Sequence, residues 1–243
     1  MRRLETLAFL LQTAVVTRAL FLMPFEGRRK YRRLLAELER DPHGRVRFFR
    51  RFLVSWWSVA AVVVASVALG SDTPANLRLV PPNWTALPLS VVWLGVLAWP
   101  VLRARSDRGY REAVREQLDR VPGLLPSTRA ERWLFAAVSV TAGVCEELVF
   151  RGLLPLYFAK LLPGLPGWAG VAIGVAGFGV AHAYQGLRGV LQASLLGAVF
   201  ATATAISGSV LTAMAFHALN DLRFLAVMLV LGRSLVDKTR DSP

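Results

Sequence analysis

The apolar residues of this chain are gathered into blocks long enough to cross a bilayer. Phe52 to Gly70, Thr85 to Leu102, Trp133 to about Leu154, Gly167 to Ala183, Gly189 to Ile206 and Val210 to Leu231 are each mainly apolar. A helix needs about 20 such residues to span the hydrocarbon core. Hydrophobic residues are 54% of the chain and the mean hydropathy is +0.45, more apolar than a soluble domain of this length runs. The expected fold class is all-α: a polytopic transmembrane helical bundle of six to eight membrane helices with a basic amphipathic N-terminal region. The expected division is 1–51 for that region, 52–102 for two transmembrane helices, 103–132 for a basic connection, 133–232 for the membrane core and 233–243 for a tail.

Charge follows the same division. The net charge is +13 and the isoelectric point 11.3, which in a soluble protein points to nucleic acid. Here the cations stand outside the apolar blocks, in Arg28-Arg29-Lys30, Arg32-Arg33, Arg45 to Arg51, the 103–132 stretch and Arg233, Lys238 and Arg240. The loop between the first two blocks, Ser71 to Trp84, has one basic residue, Arg78. The charge is therefore read as topology and as attraction to a bilayer with anionic headgroups, not to nucleic acid. The positive-inside rule places the N-terminal region, the 103–132 stretch and the C-terminus in the cytoplasm, so both chain ends are expected on one side. A surface helix is expected over residues 107–120, with Pro122 and Pro126 closing it.

Met1-Arg2-Arg3 and the apolar run Leu7 to Val16 begin like a signal peptide, but no small-residue cleavage site follows and cleavage is not expected. Leu4, Leu7, Leu10, Leu11, Val15 and Leu22 roughly follow one helical face. The pattern predicts a helix lying at the membrane interface, with a tilted span over residues 6–25 as its competitor. The Trp56-Trp57 pair reads as an interface anchor. Cys145 stands alone, so neither an internal disulfide nor a cysteine metal cluster can form. A thiol buried in apolar surroundings holds little thiolate, so Cys145 reads as packing. No internal repeat supports the inverted-repeat plan of many transporters.

Glu146 and Glu147 stand inside an apolar helix, where an acidic residue costs roughly 2.5 to 3.5 kcal/mol. An ionisable residue there is by default a functional-site hypothesis. His182, and His217 with Asp221, lie in equally apolar company. Glu147 and Arg151, Phe178 and His182, and His217 and Asp221 are each four apart, on one helical face. Glu147 and Arg151 make an ion pair that arginine can hold bidentately. Glu146 points about 100° away and is left without a local partner. Low dielectric disfavours the charge on such a group, the condition a general base or acid near neutral pH requires. If the three spans converge, one carboxylate and two imidazoles surround a polar cavity that can hold and activate a water. Attack on a peptide carbonyl then needs donors for the oxyanion. His217 is one; Asp221 donates only when protonated; Asn220 is an amide donor on a neighbouring face. The same residues would also suit a proton or cation site in a carrier. Gly170, Gly174, Gly177 and Gly179 allow close helix approach.

In order, Glu146-Glu147-x-x-x-Arg151, Phe178-x-x-x-His182 and His217-x-x-x-Asp221 resemble the motifs of the CPBP (Abi) family. These are intramembrane glutamic proteases related to the type II CAAX prenyl endopeptidases. The resemblance covers about residues 131–232. It implies that Glu146 activates water with help from His182, that His217 and the residue at 221 stabilise the oxyanion, and that Glu147 and Arg151 orient the site. The family takes Asn or Asp at the last position, and the prenyl endopeptidases have Asn. Glu146, His182, His217 and Asp221 would also make a nitrogen and oxygen ligand set for zinc. The metal-free mechanism, with no cofactor, is preferred on family grounds. The implied function is an intramembrane endopeptidase whose partner is a membrane-associated or C-terminal-signal-bearing protein or peptide. The alternative is a non-catalytic binding, transport or bacteriocin-immunity protein using the same cavity. A composition rich in Arg, Ala, Leu and Val suggests a bacterial inner membrane, and the sequence sets no oligomeric state.

Overall fold

Every regular element among the described residues is helical. The computed structural model describes residues 2–41, 43–118 and 123–240, and the side chains of all of these except 117 and 233–240. In chain order the elements are α1 (Arg2–Thr17), α2 (Met23–Arg40), α3 (Gly44–Leu69), α4 (Ala86–Ser106), α5 (Arg108–Leu118), α6 (Arg129–Glu147), α7 (Leu154–Leu161), α8 (Gly167–Ala181), α9 (Gly186–Ser207) and α10 (Val210–Arg240). Short π-helical turns, Arg18–Leu22 and Leu148–Leu153, join α1 to α2 and α6 to α7. Among the described residues six helices are long and apolar enough to cross a membrane: Arg2–Arg40, Gly44–Leu69, Ala86–Ser106, Arg129–Leu161, Ala183–Ser207 and Val210–Gly232. The Gly/Ala-rich block expected over 167–183 forms a shorter apolar helix. Pro122, and residues 241–243 of the tail, lie outside the described residues.

The N-terminal segment differs from the interface helix expected of it. α1 buries Ala8, Gln12, Val15 and Val16. Val15, Val16 and Ala19 join a core with Val59 and Val63 of α3 and Leu148 to Leu154. This packing favours the competing reading, a tilted span over residues 6–25, which lies within a helix long and apolar enough to cross a membrane, Arg2–Arg40. A second core cluster gathers Trp93 and Leu97 of α4, Phe200 of α9 and Phe216 of α10. Trp56, expected as an interface anchor, is buried in the first core. Its neighbour Trp57 stays half exposed and donates Nε1–H to Thr141 Oγ1 at 3.1 Å.

This extra traverse changes the topology. Gln12 donates to Asp72 in the first loop, and Lys160 at the end of α7 pairs with the same carboxylate. Asn83 N–H bonds Ser207 O, so the loops at 71–84, 162–166 and 207–209 share one end of the bundle. At the other end Arg28 reaches Ala183 O, and Arg115 reaches Leu231 O. The basic segments 28–51 and 103–118 therefore share an end, as the charge pattern predicts. The two chain ends do not: Arg2 lies toward the 71–84 loop, and α10 finishes beside α5.

Two local features set up the site. Ser127 and Thr128 cap α6, which starts ahead of the Trp133 read from hydropathy. Thr128 Oγ1 accepts from Glu131 N–H while Glu131 Oε2 accepts from Thr128 N–H, both at 3.2 Å, a reciprocal capping box. Arg45 of α3 closes on Glu131 at 2.9 Å and ties this start to the first core. At its far end α6 widens into the π turn, where Leu154 N–H bonds Val149 O. Proline normally clashes with the carbonyl four residues back. The wider turn, with Pro155 in the first turn of α7, lets the helix continue to Leu161, past the Leu154 at which the apolar block was read to end. Two glycines allow backbone-close crossings. A Cβ on Gly143 would meet Ala218 N at 2.6 Å, and one on Gly174 would meet Phe150 O at 2.5 Å. These contacts press α6 onto α10 and α8 onto the π turn.

Candidate active site

The end of α6, its π turn, the C-terminus of α8 and the middle of α10 meet around one buried carboxylate. Glu147 is fully buried. Its Oε1 accepts from Arg151 Nη1 at 2.9 Å and lies 2.8 Å from His217 Nδ1. The first bond is the four-residue pair expected from the sequence. The second crosses 70 positions of chain and could not be read from spacing. Arg151 uses its other arm on Gly197 O at 2.8 Å, and its guanidinium lies 4.5 Å from the Phe178 ring and 5.7 Å from that of Phe200. The guanidinium and Glu147 Oε1 are thus partnered, which is how an ion pair survives in low dielectric, while Glu147 Oε2 is buried with no hydrogen-bond partner.

The geometry sets the tautomers. Glu147 accepts at His217 Nδ1, so that nitrogen carries hydrogen. His217 Nε2 then faces Asp221, whose Oδ2 is 3.6 Å away. The His217 ring is stacked on Phe200 at 5.0 Å and edge-on to Phe178 at 5.6 Å. His182 caps α8 and sits with Nδ1 2.8 Å from Phe178 O. A carbonyl only accepts, so Nδ1 donates and Nε2 keeps its lone pair. Phe178 touches both imidazoles, being 4.7 Å from His182, and so serves as the spacer between them.

Glu146 is the contrast within this group. It is 7% exposed, and among the described residues no hydrogen bond or ion pair reaches its carboxylate. It lies within electrostatic range of His217 and Asp221. Asp221 is the most open member, its side chain 29% exposed. Asn220 is buried and turns its Nδ2 onto Asp221 Oδ1 at 3.2 Å, leaving its own Oδ1 without a partner. From its neighbouring face the Asn220 amide thus contacts Asp221 directly. Among the described residues, His, Cys, Asp and Glu side chains form no group of three or more with metal-holding geometry.

The structure brings together Glu146, Glu147, Arg151, Phe178, His182, His217, Asn220 and Asp221. It also recruits residues that sequence reasoning passed over. Phe200 and Gly197 belong to an apolar run of α9 with no polar signal. Tyr184 carries a ring 6.0 Å from that of His182. An aromatic two residues after a motif histidine was the available signal. Chemically, the arrangement offers an unpaired carboxylate, an imidazole lone pair, and an imidazole held by carboxylates on both sides.

Residues 128–223 match the model of a family described as Type II CAAX prenyl endopeptidase Rce1-like. No curated protein and no solved structure matches the chain. The matched segment begins at the Thr128 cap and includes every side chain of the site. Together with the six apolar helices it supports an integral membrane protein. Across this segment the chain is similar to the CAAX prenyl endopeptidases, as its three motifs indicate, and the match supports a CAAX-type intramembrane protease at the level of the family.

Proposed function

We propose that the protein is an intramembrane endopeptidase that hydrolyses a peptide bond with a glutamate-activated water. The observation that carries this reading is the division of labour between adjacent glutamates. Glu147 is held through its Oε1 by both Arg151 and His217, its Oε2 having no hydrogen-bond partner, whereas among the described residues no partner reaches Glu146, which is free to take a proton. In this reading Glu146 removes a proton from water while His182 Nε2 accepts the water's second hydrogen bond. General-base assistance of this kind contributes about a hundred- to ten-thousand-fold. His217, with a carboxylate at each ring nitrogen, carries both protons and offers Nε2–H to the oxyanion. Asp221 holds that proton in place until substrate arrives, and Asn220 orients Asp221. Glu146 then passes its proton to the leaving amine. The mechanism uses this chain's own side chains throughout.

The substrate is a membrane-associated protein or peptide, or one with a C-terminal signal segment, reaching the site beside partly exposed Asp221. The end bearing residues 28–51 and 103–118 faces the cytoplasm of a bacterial inner membrane by the positive-inside rule. The first chain end lies on the opposite face.

The test compares wild type with Glu146→Gln in the native host by proteomics of protein termini in membrane and secreted fractions. Termini present only with wild type are the expected result, and they name the substrates. Identical termini, with both proteins equally abundant in the membrane, would replace hydrolysis by a binding or transport role for the same carboxylate.

A further inference from the structure

A second feature of α10 lies outside the site and does not depend on its chemistry. Arg223 follows Asp221 by two positions, about 200° round the helix, and so points away from the glutamates. It enters a cavity of about 310 Å³ between α4, α5 and α10, walled by Val96, Trp99 and Pro100 of α4, Val114 of α5 and Val227 of α10. That volume is in the range of ligand pockets, roughly 300 to 1,000 Å³. Arg223 and Tyr110 supply its polar groups. Trp99, 62% exposed, and Val96 stand at its mouth, so the cavity opens outward toward lipid and not into the bundle.

Arg223 is the unusual member. Among the described residues no carboxylate lies within ion-pair distance of it and no hydrogen bond reaches its guanidinium, which lies 5.3 Å from the Phe224 ring. The carboxylate within electrostatic range of it is Asp221, beyond ion-pair distance; on the neighbouring segment Asp107 pairs with Arg103, and Glu112 with Arg108. Arg103 also lies 5.9 Å from the Trp99 ring and 5.4 Å from Tyr110, an arrangement typical of the headgroup level. Arg111 and Arg115 are held by the carbonyls of Ala104 and Leu231. The mouth of the cavity is cationic and its walls are apolar. An arginine inside a membrane helix calls for a partner, and its planar fork suits a phosphate.

We propose that this cavity is a binding site for one anionic phospholipid. Its phosphate sits on Arg223 with the Tyr110 hydroxyl as second donor, and an acyl chain runs along Val96 and Val227. Basic pockets between helices on the cytoplasmic side are the places where such headgroups are held. Lipid bound here would fasten α4 and α5 to α10 just behind Asp221.

Native mass spectrometry of the full chain in detergent tests this, with phosphatidylglycerol or phosphatidylcholine of identical chains added. Wild type should retain a single phosphatidylglycerol in preference to phosphatidylcholine. Arg223→Gln should lower that retention about fivefold, the effect of one cation near the surface. Val227→Trp fills the path of the chain without touching the charge and should lower it comparably; it decides the matter if Arg223→Gln is not recovered folded. Arg50→Gln, which removes an exposed cation at the same end of the bundle, should retain lipid like wild type. Equal retention of the two lipids by wild type, or undiminished retention in Val227→Trp, would overturn the proposal. So would displacement of the lipid by millimolar inorganic phosphate, which would identify an anion site with no lipid specificity.

Discussion

The two halves of the molecule treat charge in opposite ways. In the first 118 residues the ion pairs made within the segment lie at the surface: Arg51 with Glu37, Lys30 with Glu26 and Arg47 with Asp41 all keep a third or more of at least one side chain in solvent. In the 128–223 segment Glu147, Arg151 and His217 are sealed from solvent and joined to one another. The chemical groups are the same and the energetics are not. Surface pairs contribute little, because water already solvates both partners. A sealed pair is costly to assemble and far costlier to break, because removing one partner strands the other. Charge at the ends of the bundle therefore reports topology, and charge within it reports chemistry.

The sharpest test of that contrast is Arg151→Met. It leaves Glu147 with His217 alone and frees the Gly197 carbonyl. We expect a loss of about 3 to 5 kcal/mol, read as a fall in thermal midpoint in detergent. The double change Glu147→Gln with Arg151→Met should recover part of the loss, because no stranded charge remains. Equal loss in single and double variants would show that Arg151 acts through its packing on Phe178 and Phe200 instead. Glu146→Gln stands beside it as the opposite case. Its carboxylate has no partner to strand, so the thermal midpoint should move little, within about 1 kcal/mol, while the processing of substrate stops. A large destabilisation would mean that Glu146 has a structural partner.

Legibility follows the same line. The Glu147–Arg151 pair, the isolation of Glu146 and the His217–Asp221 contact were visible because helical spacing of four fixes neighbours within one element. The bond from Glu147 to His217 was not, because it depends on how closely α6 and α10 approach, which Gly143 permits and no spacing announces. The π turn was hidden for a related reason: Pro155 reads as a stop when only α-helical hydrogen bonding is considered. Gln12 was a missed clue of another kind. A buried amide within the apolar run of α1 has to find a polar partner, and its partner, Asp72, belongs to the opposite loop. Taking that amide as a demand for burial would have favoured the traverse over the interface helix.

Packing supplies the next smaller effect. Gly143→Leu inserts a side chain where even a Cβ would overlap Ala218 N, at 2.6 Å. Overpacking costs typically 1 to 3 kcal/mol, and it should separate His217 from Glu147 and so lower activity along with stability. Gly95→Leu is the control on the other half of the chain, since nothing lies within 4 Å of a Cβ there. Its stability should stay near that of wild type, and a drop like that of Gly143→Leu would remove the packing argument.

The smallest effect belongs to the corner between α2 and α3. Arg47 Nη1 donates to Asp41 Oδ2 at 2.5 Å, and His43 N–H donates to Asp41 Oδ1 at 2.8 Å. The Arg47 bond, and next the backbone bond from His43, hold the Asp41 carboxyl below its ordinary value. A group whose folded value is depressed binds its proton less readily folded than unfolded. Its stabilisation is therefore complete above the ordinary aspartate value and is lost as the pH falls through the depressed one. Because the Asp41 and Arg47 side chains keep more than a third of their surface in solvent, the loss should be local, a faster amide exchange over residues 43–47 in acid, after correction for the intrinsic rate. Asp41→Asn should exchange at one corrected rate across that window. If wild type also shows a flat profile, Asp41 contributes nothing to the corner, and even the best-made pair of the exposed half is no more than a solvated contact.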